Sequence, residues 1–290
     1  MDVEFMPLFI DYFGFLGMQL PPEQKSAMQS SLPILQNEMH FQKLYFWGKI
    51  LAPTDYFIVQ GVEDNLLRRK TLVSQDCSNW ALLSPPASET CKKVRLMRTF
   101  FSGDMSNESE QQVHKSVVRS ESRSRIDAEE EEEEEDEGLQ QTVDTFTVKE
   151  EDRLSAVVAE IDHDALLVPR GAYILAPTGA VRENRFFQGL STLEAGKLDS
   201  YCHFRPAERL LEKTMLQRAD LERTLDFLDT AADDLPAGTW SVQQERGGAV
   251  VLIKSLLWPG YAFFHVPGSR HFGSLYMGEG RLNIDLPFML

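Results

Sequence analysis

The chain has 290 residues, 42% of them hydrophobic, and a formal net charge of −16 at pH 7. This is enough apolar material for one large core or two smaller ones. Nine of the negative charges form one unbroken run, Glu129 to Glu137, which leaves −7 for the remainder. That balance repels phosphate backbones and argues against nucleic-acid binding.

The three cysteines, Cys77, Cys91 and Cys202, are too few and odd in number for a disulfide framework, and they fit a reducing compartment. Met1-Asp2-Val3-Glu4 is acidic where a signal peptide is basic. The longest apolar run, around residues 249–264, is cut by Lys254 and Pro259 before it reaches the ~20 residues needed to cross a bilayer. These features predict a soluble protein of the cytoplasm with no membrane association.

Taken in order, Phe5, Leu8, Phe9, Tyr12, Phe13 and Leu16 have the spacing of an amphipathic helix that weakens at Gly14 and Gly17. Pro21 and Pro22 suit the first turn of a second helix, with Met28, Leu32, Leu35 and Met39 along one side. Pro33 predicts a kink or break in it. Residues 44–51 and 55–60 are aromatic and β-branched runs separated by Pro53 and Thr54, which reads as a hairpin. Shorter strands are expected at 71–73 and 80–83.

Residues 104–141 lose nearly all large apolar side chains, so they are expected to be mobile and to end in the acidic run. The run reads as a solvated spacer or as an electrostatic docking arm. Ser120, Ser122 and Ser124 alternate with Arg119, Arg123 and Arg125, which resembles a phosphorylation site. Thr142–Val148 alternates as a strand. Leu154, Val157, Val158 and Ile161 then mark a helix with acidic residues in its first turn.

Short strands are expected at 166–168 and 173–175, helices over Thr192–Tyr201 and Ala207–Leu216, and strands at 238–243, 249–255, 261–266 and 272–277. No fixed-period repeat is present. The clustering of strands predicts an α+β fold. Its sheet is mostly antiparallel, with N-terminal helices and several short helices, and a long acidic disordered loop interrupts it. Residues 1–103 and 142–290 are expected to pack as one composite fold around that loop.

Candidate chemistry is sparse. No H-E-x-x-H, P-loop, G-x-S-x-G or strand-to-helix G-x-G-x-x-G is found. Cys202-His203 is adjacent on a strand, where the two side chains diverge from a common metal. His265 and His271 flank a turn at Pro267-Gly268 and could face each other across it. The carboxylate pairs Asp162/Asp164 and Asp233/Asp234 read as solvated helix-end acids. Trp47, Trp80, Trp240 and Trp258 are either core or interface anchors. The apolar ending Asp285-Leu286-Pro287-Phe288-Met289-Leu290 must be buried in its own fold or against a partner. Trp47, Trp258, Phe263, Phe264, Leu286, Phe288 and Leu290 are thus the interface-or-core candidates. No catalytic, cofactor-binding or metal-binding residue is assigned. A hydrolase using His265 or His271 with a carboxylate, or a small-ligand regulator built on the C-terminal sheet, are the alternatives.

Several stretches carry a resemblance that spans nearly the whole chain in order. They are Phe46-Trp47-Gly48-Lys49-Ile50-Leu51 with Asp55-Tyr56-Phe57-Ile58, Lys70-Thr71-Leu72 with Cys77 and Trp80, and Pro169-Arg170-Gly171-Ala172. Leu225-Asp226-Phe227, Ser255-Leu256-Leu257-Trp258-Pro259-Gly260 and the terminal hexapeptide complete them. In these the chain resembles the radial spoke head family of motile cilia and flagella; residues 104–141, with the glutamate run, depart from it. The Trp-Gly-Lys-Ile and Leu-Leu-Trp-Pro-Gly stretches are similar to radial spoke head proteins 4 and 6, which the resemblance implies as sister folds and partners. It further implies a non-enzymatic axonemal component of the cytoskeleton without cofactors. Within the assembled head it would meet the central-pair projections and pass mechanical signals to the outer doublets, shaping dynein-driven bending.

Overall fold

A computed structural model describes residues 1–116, 141–209, 213–219 and 221–289. Its centre is an eight-stranded sheet made from both ends of the chain. Strands β1 (Lys43–Ile50), β2 (Tyr56–Val62), β3 (Arg69–Ser74) and β4 (Ala81–Leu82) form one half. Four strands from the C-terminal region, β11 (Trp240–Glu245), β12 (Val250–Ser255), β13 (Tyr261–His265) and β14 (Phe272–Gly278), form the other, in the order β11-β12-β13-β14-β1-β2-β3-β4. Every neighbouring pair is antiparallel except β1 with β14, which join in parallel from Gly48↔Tyr276 to Ile50↔Gly278. Toward the start of β1 the gap is filled by Met1. Its buried amino group donates to the carbonyls of Phe46 (2.9 Å) and Ser274 (3.1 Å), and its own carbonyl accepts from Phe46 N. Burial pushes that amine down to about 5.

Helices and turns lie over both faces of the sheet's central strands, which is why these read as continuous apolar runs. All seven residues of β2 are buried. On one face lie the N-terminal turns, a 3₁₀ turn Val3–Phe5, helix α1 (Met6–Phe9) and a 3₁₀ stretch Ile10–Leu16, followed by helix α2 (Pro22–Glu38). Their Met6, Ile10, Phe13, Met28, Leu32 and Leu35 pack on Phe46, Phe57, Val59, Leu252, Phe264 and Leu275. Spacings of three and four place the α2 residues on one stripe. On the other face, α3 (Ser88–Leu96) and α4 (Glu150–Ala165) set Val94, Leu154, Val157, Val158 and Ile161 against Ile50, Ile58, Val251, Ile253, Phe263 and Tyr276. Glu150, Glu151 and Asp152 in the first turn of α4 complement its dipole.

Three two-stranded pairs complete the topology. They are β5 (Glu108–Ser116) with β6 (Gln141–Lys149), β7 (Leu167–Pro169) with β10 (Tyr201–His203), and β8 (Tyr173–Leu175) with β9 (Val181–Glu183). The latter two surround a satellite core of Leu166, Val168, Tyr173, Val181, Cys202 and Phe204. Short helices α5 (Thr192–Ala195), α6 (Met215–Ala219) and α7 (Leu286–Met289) lie on the periphery. Among the described residues no helix is long and apolar enough to cross a membrane.

Several expectations need correction. Helix α2 continues through Pro33 without a break. The proline deprives only the Gln29 carbonyl of its donor, and both residues lie on the exposed face, where water can supply one. The helix expected over Thr192–Tyr201 is a single turn closed by a Ser191–Glu194 capping box, and Tyr201 begins a strand instead. Of the helix expected over Ala207–Leu216, 210–212 lie outside the described residues, and among the described ones only Met215 and Leu216 are α-helical, as the start of α6. Strand β5 falls within the 104–141 stretch read as a loop; its backbone pairs with β6 from Glu108↔Lys149 onward. The acidic run Glu129–Glu137 and Ser120, Ser122 and Ser124 lie outside the described residues.

Candidate assembly surface

The tryptophans and the carboxylates belong together. Near the C-terminal end of α4, Asp162 accepts from the Trp47 indole N–H at 2.7 Å and from the Gln60 amide, while Asp164 accepts from the Trp258 indole at 3.1 Å. Asp234 Oδ2 accepts from the Trp240 indole and from His203 Nε2, both at 2.8 Å. These three acids are therefore not solvated helix ends, whereas Asp233, exposed at the end of a 3₁₀ turn, is. Burial pushes the Asp162 carboxyl above the usual range. Burial acts the same way on Asp164 and Asp234, but there it is outweighed. Hydrogen bonds from His163 and Trp258 with the nearby Arg95 charge hold Asp164 low, and the His203 and Trp240 contacts hold Asp234 low. Trp80 is the exception, its indole donating to Ser31 Oγ of α2 at 3.3 Å. Two indoles, from β1 and from the β12–β13 turn, thus tie α4 to the sheet. The signal was present in the sequence, because Leu154, Val158 and Asp162 form an i, i+4 row that puts Asp162 on the apolar stripe.

The glycines beside those tryptophans have a steric cause. At Trp47-Gly48 the register of β1 against β2 shifts by a bulge, which resets the alternation. Trp47 and Ile50 consequently face α4, and Lys49 faces the other way, held by Asp55 at 2.8 Å. Gly48 has φ +141°, and a Cβ there would sit 2.0 Å from the Tyr276 carbonyl oxygen. Gly260 follows Trp258-Pro259 with φ +99°, and its Cβ would lie 2.3 Å from the Met277 oxygen. Only glycine fits either position.

The histidines do not converge. His265 is fully buried on the α4 side of the sheet, where Nε2 accepts from Leu190 N and the ring lies near Tyr201, Phe187 and Phe272. His271 packs instead on Phe5 and Phe9 of the N-terminal turns, on the opposite side. Neither has a carboxylate partner among the described residues, so the expected facing pair is not formed. Cys202 and His203 are both buried in β10.

Of the interface-or-core candidates, Trp47, Trp258, Phe263 and Phe264 lie in this chain's own core, as does Leu286 at 2% exposure. On the same short helix α7, Phe288 is 90% exposed and Met289 73%. Leu290 lies outside the described residues. The terminal segment is therefore anchored by one side chain and presents others to solvent.

No family model matches the chain. It is nevertheless similar over its full length to curated proteins named radial spoke head protein 9 homolog. The zebrafish protein (Danio rerio) is 43% identical over 295 residues, the cattle protein (Bos taurus) 40% over 292 and the human protein (Homo sapiens) 39% over 292. Each alignment covers 100% of both chains. On that full-length similarity, the chain belongs to the radial spoke head protein 9 family.

Proposed function

We propose that this protein is a non-catalytic structural subunit of the axonemal radial spoke head, required for the head to assemble. In this reading it is held there by subunits of the radial spoke head protein 4 and 6 type, and the assembled head meets the central-pair projections. The head passes mechanical signals between the central pair and the outer doublets and so regulates dynein-driven bending of cilia and flagella. The observation that carries the reading is the full-length identity to radial spoke head protein 9 homologs.

The site chemistry agrees with it. Asp162, Asp164 and Asp234 are spent on indole hydrogen bonds that fasten elements together, and His265 is held neutral inside the core. Fractionation of axonemes from a ciliated cell tests the placement. The chain should be extracted together with proteins 4 and 6 and sediment with them as one particle. Spoke heads that sediment intact without it would contradict the proposal.

A further inference from the structure

The N-terminal turns leave part of their face of the sheet uncovered. Past Leu16 the chain turns at Gly17, which is left-handed with φ 77°. The strand ends carrying Lys49, Lys254 and Met277 then form the floor of an open groove of about 680 Å³. Its walls include Leu16 and Met18 from the N-terminal turns and Leu286 and Met289 from α7. Leu51 and Leu256 also line it, 39% and 38% exposed.

Charge sets this groove apart. Although the chain carries −16, no aspartate or glutamate lines it. Lys49 is neutralised by Asp55. Half-buried Lys254 has no carboxylate within ion-pair reach among the described residues, and its neighbours in register are Ser241 and Ala262. A lysine beside Leu256, Leu286 and Met289, with no counter-charge among the described residues, is a site for a carboxylate brought from outside.

The floor also limits the form of the occupant. Strands β12, β13, β14 and β1 are each paired on both sides, so no free edge is present for an added strand. An arriving segment must satisfy its own backbone, which a helix does. A second copy of this chain fits poorly, because a two-fold contact here would set Lys254 against Lys254 between two strongly acidic molecules. We infer that this groove receives an amphipathic helix of another spoke-head subunit, whose apolar side chains fill it and whose carboxylate pairs with Lys254. The inference rests on the proposed place of the chain in the spoke head.

Carbodiimide cross-linking of isolated spoke heads tests it, since the reagent joins a lysine Nζ to a carboxylate in contact without a spacer. The expected product links Lys254 to an aspartate or glutamate of a different subunit, in a peptide with apolar residues three and four positions away. Lys254→Glu should weaken binding of the full chain to the other spoke-head subunits, isolated without it, by about tenfold or more, with an unchanged melting temperature. Lys254→Gln serves if the reversal impairs folding, and Lys70→Glu on an exposed pair with Glu63 should leave binding unchanged. A link from Lys254 to a second copy of this chain overturns the inference. So does a Lys254 that an amine-acylating reagent modifies as fast in the assembled head as in the free chain. Absence of the chain from the heads would instead remove the spoke-head placement itself, and the inference with it.

Discussion

Asp162 and Trp47 are 115 positions apart and Asp164 and Trp258 are 94 apart, yet each carboxylate accepts a hydrogen bond from the indole N–H of its partner. Removing one donor leaves a largely desolvated carboxylate short of a hydrogen bond, which costs more than the bond itself contributes. Trp258→Phe loses the N–H and, at a fully buried position, part of the ring's packing, so it should lower unfolding free energy by at least about 1–3 kcal/mol. Trp80→Phe, with a longer bond and a half-buried ring, should cost less; urea unfolding of both variants compares them. His265 offers a pH test. Burial pushes its imidazole down to about 4 from an ordinary 6.5, so between those values the folded state binds fewer protons than the unfolded chain. The resulting stability is fully present above pH 6.5 and is lost as pH falls toward 4. Relative to His265→Gln, which retains an acceptor for Leu190 N, the native chain should lose about 2 kcal/mol more on going from pH 7 to pH 5. Equal losses in the two proteins would contradict the neutral, buried assignment.

At the scale of elements, the join between β1 and β14 is the most constrained feature. Gly48→Ala would drive a methyl group into the Tyr276 carbonyl, and neither backbone can retreat without breaking the parallel pairing. A loss of about 3 kcal/mol or more is expected, whereas Gly179→Ala should cost about 1 kcal/mol. Gly179 is also left-handed, but a Cβ there meets nothing within 4 Å. Thermal denaturation of the two variants checks the contrast. The strands on either side of this join were legible in the sequence because they are buried on both faces and so appear as dense apolar runs. Helix α4 was legible through its apolar spacing and acidic first turn. What escaped were elements whose composition is mixed. Helix α3, Ser88–Leu96, carries Lys92, Lys93 and Arg95 and gives no clear stripe, and β10 is only three residues long. The carboxylate–indole ties escaped for a different reason: local periodicity reports which face a residue occupies, not which distant donor meets it there.

For the molecule as a whole, the β1–β14 pairing joins strands from the two ends of the sequence in one sheet, and we propose that the two ends form one structural unit. Cutting the backbone at a protease site placed between residues 117 and 140 should therefore leave two pieces that co-elute under native conditions. Pieces that separate and stay folded would indicate two independent domains. The Trp47–Asp162 and Trp258–Asp164 bonds brace that sheet against α4, which suits the structural role proposed above. The most direct measurement of that role is deletion of the protein in a ciliated cell, read by high-speed imaging of the beat together with tomography of the axoneme. The expected result is cilia that assemble at normal length, lack intact spoke heads and beat with an abnormal waveform. Intact spoke heads and a normal waveform, with a metabolic activity lost instead, would contradict it.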